Sequence, residues 1–306
     1  MAKTQIIFLI LPHVHLLDLA GPDQVMMEAM DYGVDISITY CSIDSQLSTS
    51  NHLPIGKVTH FKKIVPKPGD YILIPGCETS YLLSSKLTGE KELLSWLKKS
   101  NQQGVNICSI CTGAYVLGAA GLLDNRKCTT HWKHTSRLKE KFPKANVIEN
   151  ILFAEQDGVY TSAGVTAGID LAMHIINKLT DDNTTYKIAR ELVVYIRRQG
   201  NDSQQSVFLN YRNHVHSCIH KLQDWLQTNI NKKSTLEDLA VIANMSSRNL
   251  TRVFKKETGI SINEFITLIR KDKIKELLKN PDITRNQIAK QCGLKSERQI
   301  IRIIQN

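Results

Sequence analysis

Apolar residues follow two regimes along the chain. Up to about residue 179 they come as short continuous runs: QIIFLIL at 5–11, VDISITYCSI at 34–43, DYILIPG at 70–76 and NICSICTGA at 106–114. Stretches of helical period such as 82–99 separate them. Runs that are apolar on both faces and alternate with helices are what a mostly parallel sheet covered on both sides requires. The N-terminal part is therefore predicted to be α/β and doubly wound, with residues 184–199 as a closing helix ending in Arg197 and Arg198. Ligands in such folds sit beyond the carboxyl ends of strands. Three segments qualify: 18–22, 74–77 and 109–113.

After a polar, helix-breaking stretch at 200–206 (GNDSQQS) the period becomes helical throughout. Leu236, Leu239, Ala240 and Ala243 recur at the spacing that buries one helix face, and Thr235 with Asp238 has the form of a capping box. A turn at 244–246 leads to a second helix that buries Leu250, Val253 and Phe254, crowds Arg248, Asn249, Thr251, Arg252, Lys255 and Lys256 on its other surface, and stops at Gly259. This is the pattern of a helix-turn-helix whose second helix lies in a DNA major groove. A weaker copy follows. Ile288, Ala289 and Leu294 correspond to Leu239, Ala240 and Met245, and Arg302 to Arg252 if one residue is inserted in the second turn. Thr284 with Gln287, and Ser296 with Gln299, carry the capping signals. Between the copies, a helix opened by Ser261 and Glu264 and closed by Pro281 is predicted. Its roughly 19 residues would span nearly 30 Å at ~1.5 Å each, about the separation of successive major grooves.

Charge fits this division. Of the +10 formal net charge, residues from Asn201 onward contribute 18 Lys and Arg against 10 Asp and Glu, while the part before has 21 against 19. The basic excess lies where phosphates would be met. The expected plan is an effector and dimerisation domain over 1–199, a linker over 200–213, and an all-α domain with two helix-turn-helix units over 214–306.

Residues 234–306 resemble the DNA-binding domain of AraC-type transcriptional regulators, through A-x-x-x-x-M-S, L-T-R-V-F-K-K-E-T-G and I-A-x-x-C-G-L. Such domains continue past the second recognition helix, whereas this sequence stops at Asn306, so the second helix-turn-helix is read as shortened, with Ile300 and Ile304 at the family's two Phe positions. Arg248, Asn249, Arg252 and Lys255 in the first head, and Lys295, Arg298, Gln299 and Arg302 in the second, are the expected groove contacts. Arg to guanine and Asn to adenine are the pairings that geometry favours.

In the N-terminal half, S-I-C-T-G at 109–113 runs from strand into an Ala/Gly-rich helix, the form of a nucleophile elbow with Cys111 at its apex. The following helix end would favour the thiolate, although a cysteine at such a junction is more often a small buried filler. The half as a whole resembles the class I glutamine amidotransferase-like superfamily, in the branch fused to AraC-type domains and related to isocyanide hydratases and intracellular cysteine peptidases. The matching phrases are D-L-A-G-P at Asp18, I-P-G at Ile74, C-T-G-A-Y-V-L-G-A-A-G-L-L-D at Cys111, T-T-H-W at Thr129 and T-S-A-G-V-T-A-G-I-D at Thr161. The resemblance implies that Cys111 is the elbow cysteine with Asp18 as the acidic residue beside it. It also implies that Gly76, Cys77 and Thr112 face a ligand oxygen with backbone donors, and that His131 stands where some relatives have a histidine. Peptidase-like relatives place a His directly after the elbow, where this chain has Thr112. A ligand pocket that keeps an enzyme's geometry is therefore expected, with Cys111, Asp18 and His131 as vestigial catalytic residues.

The remaining features exclude more than they add. The apolar run at 6–11 is broken by Pro12, and the longest uncharged run, 107–123, contains Gly113, Gly118 and Gly121, so both suit buried elements and no membrane association is expected. Seven cysteines without a regular framework fit a reducing cytoplasm. Cys108 and Cys111 lack a second pair for zinc, and His214, His216, Cys218 and His220 would need converging geometry, so neither metal nor cofactor is expected. His13 and His15, near the end of the first strand, could line the pocket, although a solvated loop is the commoner case, and Trp132 and Trp225 read as core residues. These readings converge on a cytoplasmic, homodimeric transcriptional activator that binds DNA and RNA polymerase under control of a small nitrogenous or amino-acid-like metabolite. The alternatives are a cysteine-dependent hydratase or amide hydrolase with an accessory DNA-binding domain, and a degraded regulator that retains only dimerisation or nonspecific DNA binding.

Overall fold

A computed structural model describes residues 3–44, 46–194, 200–201, 204, 210–212, 214–278, 280 and 283–305. The chain divides into two units, Met1–Gln204 and Gln205–Asn306.

The first unit is built on seven strands: β1 (Thr4–Ile10), β2 (Ile36–Ser42), β3 (Thr59–His60), β4 (Tyr71–Ile74), β5 (Asn106–Ile110), β6 (Phe153–Gln156) and β7 (Val159–Ser162). They lie in the order β6-β7-β5-β4-β1-β2-β3, parallel except for the antiparallel edge pair β6 and β7. The central strands β1, β4 and β5 are mostly apolar because both faces are covered. Along β1, Ile6, Phe8 and Ile10 enter one core and Ile7 and Leu9 the other, as a side-chain period of two dictates. Helices α1 (Leu16–Asp31), α4 (Ala167–Leu179) and α5 (Asp182–Glu191) cover the first face; α2 (Lys91–Gln102) and α3 (Ala114–Ala119) cover the second. This is the doubly wound sheet that the apolar runs predict.

Two predicted helices are cut short. The stretch 82–99 is divided among Thr79–Leu82, Ser85–Gly89 and α2, because the Ser84 hydroxyl accepts the Lys86 N–H and starts a new helix. The closing helix begins two residues earlier than expected, where Asp181 accepts the Thr184 N–H, and ends at Glu191 ahead of Val193, which takes φ 54°. Arg197 and Arg198 lie outside the described residues. Among the described residues no helix is long and apolar enough to cross a membrane.

The second unit contains α6 (Ser217–Thr228), α7 (Leu236–Ile242), α8 (Ser247–Thr258), α9 (Ile262–Leu277), α10 (Arg285–Gln291) and α11 (Glu297–Gln305). Capping boxes open α7, α9 and α10 at the predicted residues, and Gly259 closes α8 at φ 81°. Leu236 does not join the buried face; it is 39% exposed in the first turn of α7. Gln299 does not form the expected box with Ser296, because its side chain reaches back to the Lys295 N–H at 2.7 Å.

The two heads repeat each other in detail. The Met245 N–H donates to Ala240 O at 2.9 Å and the Leu294 N–H to Ala289 O at 2.8 Å, with Asn244 and Gly293 at φ 53° and 67°. The spacing of the recognition helices, Ser247 to Glu297, is one residue longer than that of the first helices, Leu236 to Arg285. The insertion thus sits in the second turn. Helix α9 serves both cores, giving Ile262, Phe265 and Ile269 to the first and Ile274 to the second. It has 16 residues rather than the expected 19, capped at Leu278, and so spans roughly 24 Å; Pro281 lies outside the described residues. The Arg270 Nε donates to Cys292 O at 2.9 Å, and a Cβ at Gly293 would fall 2.6 Å from Ile230 O. The second turn therefore leans on the segment that enters the first head.

Candidate functional site

Four segments after the carboxyl ends of β1, β4, β5 and β7 converge on Cys111. The cysteine directly follows β5 and opens a 3-10 turn at φ 55°, the strained position of an elbow. The approach is close enough to forbid side chains around it. A Cβ at Gly164 (φ 91°) would lie 2.1 Å from the Cys111 Cβ, and one at Gly76 would lie 2.5 Å from Asp18 Oδ2 and 3.0 Å from the Cys111 Cβ. Asp18, in the first turn of α1, is 1% exposed. Its Oδ1 accepts the Val165 N–H at 2.6 Å, holding a β-branched residue at φ 52°, and its Oδ2 stands 3.3 Å from His15 Nδ1. The Thr130 hydroxyl donates to Cys111 O at 2.7 Å.

Electrostatics keep the thiol protonated. Burial, and then the Asp18 carboxylate, push the Cys111 pKa well above the ordinary thiol value, while the Thr112 N–H opposes them. The helix that was to favour the thiolate, α3, has only six residues and does not win. Cys77 differs from expectation as well. Its N–H donates to Thr112 Oγ1 at 3.1 Å and the same hydroxyl donates back to Cys77 O at 2.8 Å, so Cys77 has no free N–H for a ligand.

His131 is not the histidine brought to the cysteine. Its Nδ1 accepts the Lys133 N–H, its ring lies against Trp132 and His134, and burial with nearby positive charge lowers its pKa. His15 takes the place beside Asp18, so it is not a solvated loop residue. The Nδ1 of His13 is buried. Trp132, read as a core residue, is 45% exposed, whereas Trp225 packs on the first head's core. The sequence signals for these contacts are thin: His15 and Asp18 are three apart at a helix start, and nothing local marks Thr130 or Gly164. Among the described residues, His15, Asp18 and Cys111 are the one group of three or more His, Cys, Asp or Glu residues able to hold a metal ion.

In the second unit Arg248, Arg252 and Lys255 are exposed on one face of α8, and Lys295, Arg298, Gln299 and Arg302 are exposed on or beside α11. Asn249 Oδ1 accepts from Arg252 Nη2 at 2.9 Å, tying together the two side chains best suited to read bases. Ile300 is buried in the second head's core, while Ile304 is 36% exposed.

The sequence pattern of the DJ-1/PfpI family matches residues 4–178, and that of a helix-turn-helix domain matches residues 239–306. The chain is 29% identical over 209 residues to the HTH-type transcriptional regulator GbdR of Pseudomonas aeruginosa, an alignment covering 67% of this chain and 56% of that protein. The chain thus spans little more than half the length of that relative. It is 30% identical over 189 residues to the isonitrile hydratase of Pseudomonas putida, covering 61% of this chain and 77% of the hydratase. A solved AraC family transcriptional regulator from Pseudomonas putida superposes with a TM-score of 0.53 at 19% identity, over 62% of this chain and 99% of that one, a likeness of fold.

Proposed function

The chain belongs to the DJ-1/PfpI family and carries an AraC-type helix-turn-helix domain behind it, and we propose that it is a sequence-specific DNA-binding transcriptional regulator rather than an enzyme. The observation that carries this reading is the pair of heads on one shared helix, each presenting an exposed basic recognition helix. The effector is a small nitrogenous or amino-acid-like metabolite held among the loops at Asp18, Gly76, Cys77, Cys111, Thr112 and His131. The regulator acts as an activator in the cytoplasm, engaging RNA polymerase as a homodimer. Seven cysteines, all free, suit that compartment.

An effector controls DNA binding only if it prefers one arrangement of the chain. A physical route leads from the elbow to the end of the first unit. The Thr130 hydroxyl holds Cys111 O, and Gln204 Nε2 donates to Thr130 O at 3.0 Å. Gln204 is the last residue of that unit, so a ligand that displaces the elbow pulls on the chain where it leaves for the DNA-binding unit.

The hydratase reading has the Cys111 and Asp18 pair and the hydratase likeness in its favour. Against it stand a thiol that burial and the Asp18 carboxylate hold protonated, and a Cys77 N–H already engaged. Footprinting with Arg252→Ala tests the regulator: about 1–3 kcal/mol of promoter affinity is expected to go, with relaxed preference at one base. Ligand-responsive transcription is expected to survive Cys111→Ala. An unchanged Arg252→Ala footprint, or catalytic turnover abolished by Cys111→Ala, would defeat the proposal.

A further inference from the structure

We propose that His15, Asp18 and Cys111 form a binding site for a zinc ion. The inference rests on reading the four loops as the chain's ligand site and names a ligand for them. One ligand atom from each residue lies within 4.8 Å of the other two. The His15 and Asp18 pair is the most telling. His15 Nδ1 and Asp18 Oδ2 are 3.3 Å apart, long for a charge-assisted hydrogen bond. At Zn–N and Zn–O distances of about 2.0 Å, two ligands at the tetrahedral angle stand roughly 3.3 Å apart, and a sulfur slightly farther. Closing the third corner needs a side-chain adjustment of about an ångström.

The surroundings already hold the ligands in place. Asp18 Oδ1 is fixed by the Val165 N–H, which leaves Oδ2 for a metal. Cys111 is fixed by the Thr130 hydroxyl on its carbonyl and by the close passage of Gly164. Imidazole, carboxylate and thiolate together suit a borderline-soft divalent cation rather than magnesium or calcium. Three protein ligands, two buried and the third, His15, 36% exposed, leave a fourth position on the solvent side, as in zinc sites that accept an exogenous ligand. The exchange balances simply: zinc enters, the Cys111 Sγ–H bond breaks, and the proton leaves to buffer, about one per ion.

The test uses the full chain, stripped with a chelator and titrated with zinc against a chromophoric competitor. One zinc per chain is expected, released at least about a hundredfold more readily by Cys111→Ser and by His15→Ala. His15 is partly exposed, so its removal spares the fold; Asp18 is left in place because the Val165 loop depends on it. Cobalt(II) should give a thiolate charge-transfer band that Cys111→Ser abolishes. The rival zinc site is the connector at 214–220, where the His214 and His220 rings lie 4.5 Å apart, so His214→Ala/His220→Ala should bind zinc as the parent does. Zinc binding that survives Cys111→Ser, disappears in the connector variant or shows no thiolate band overturns the site. The regulator reading is judged separately, by the Arg252→Ala footprint.

Discussion

Replacing Gly164 by alanine tests whether the loop after β7 really presses on the elbow. The added methyl would meet the Cys111 Cβ at 2.1 Å, its Cα at 2.6 Å and its Sγ at 2.7 Å, while the backbone stays at φ 91°. The Cα belongs to the main chain and cannot turn away. Left-handed backbone costs about 1–2 kcal/mol for a residue with a Cβ, and forcing an extra methyl into a packed interior about 1–3 more. A total of about 2–5 kcal/mol in a unit of this size lowers the midpoint by on the order of 10 °C. Gly33→Ala supplies the reference, since Gly33 has φ 82° and nothing within 4 Å of its absent Cβ. It should lose only the backbone share, about 1–2 kcal/mol. Both sites lie in the first unit, so thermal unfolding of the full chain compares them on one transition. Adding Cys111→Gly to Gly164→Ala should restore part of the loss by removing the Cβ and Sγ contacts. If Gly164→Ala melts with Gly33→Ala, the packing described for the elbow is wrong.

Two further outcomes follow. Burial raises the Cys41 and Cys128 thiols to about 12, so each is protonated in the fold and titrates earlier when unfolded. Their contribution is complete below a pH of about 8.5 and is lost as pH rises, each adding roughly 1.4 kcal/mol per pH unit to the slope. Urea unfolding between pH 7.5 and 10.5 should show that decline, and Cys41→Ala should flatten it by one thiol's share; a parallel decline would refute the assignment. Gln204→Ala is expected to leave effector affinity and DNA affinity each intact while removing most of the coupling between them, typically about 1–3 kcal/mol. Titrations of one ligand at saturating levels of the other measure this, and unchanged coupling would clear Gln204 of the role.

The sequence revealed what depends on period and failed where distant chain segments meet. The strands were readable because a position buried on either face must be apolar, and β1 is apolar throughout its buried stretch. The heads were readable because capping boxes and a left-handed turn residue are local. The elbow was readable as a strand running into a helix. Its partners were not: Asp18 and Val165 are 147 positions apart, and no periodicity announces their hydrogen bond. Resemblance favoured His131, while His15, whose placement depends on how the loop after β1 enters α1, could be read only as a loop residue near the pocket. The expected thiolate failed for a related reason, since burial outweighs a helix end of six residues.

The missing side chain at Gly293 bears on how operators for such a protein can change. Because the second turn leans on the backbone at Ile230, and Arg270 ties α9 to Cys292 O, the heads are braced at two points instead of hanging from one helix. A braced pair measures helical phase as well as distance. One base pair added between the two contacted segments turns the second by roughly 35° about the DNA axis. A hinged reader could follow that rotation; this one would have to release a head. Base changes between the contacted segments should therefore be far better tolerated than insertions or deletions there.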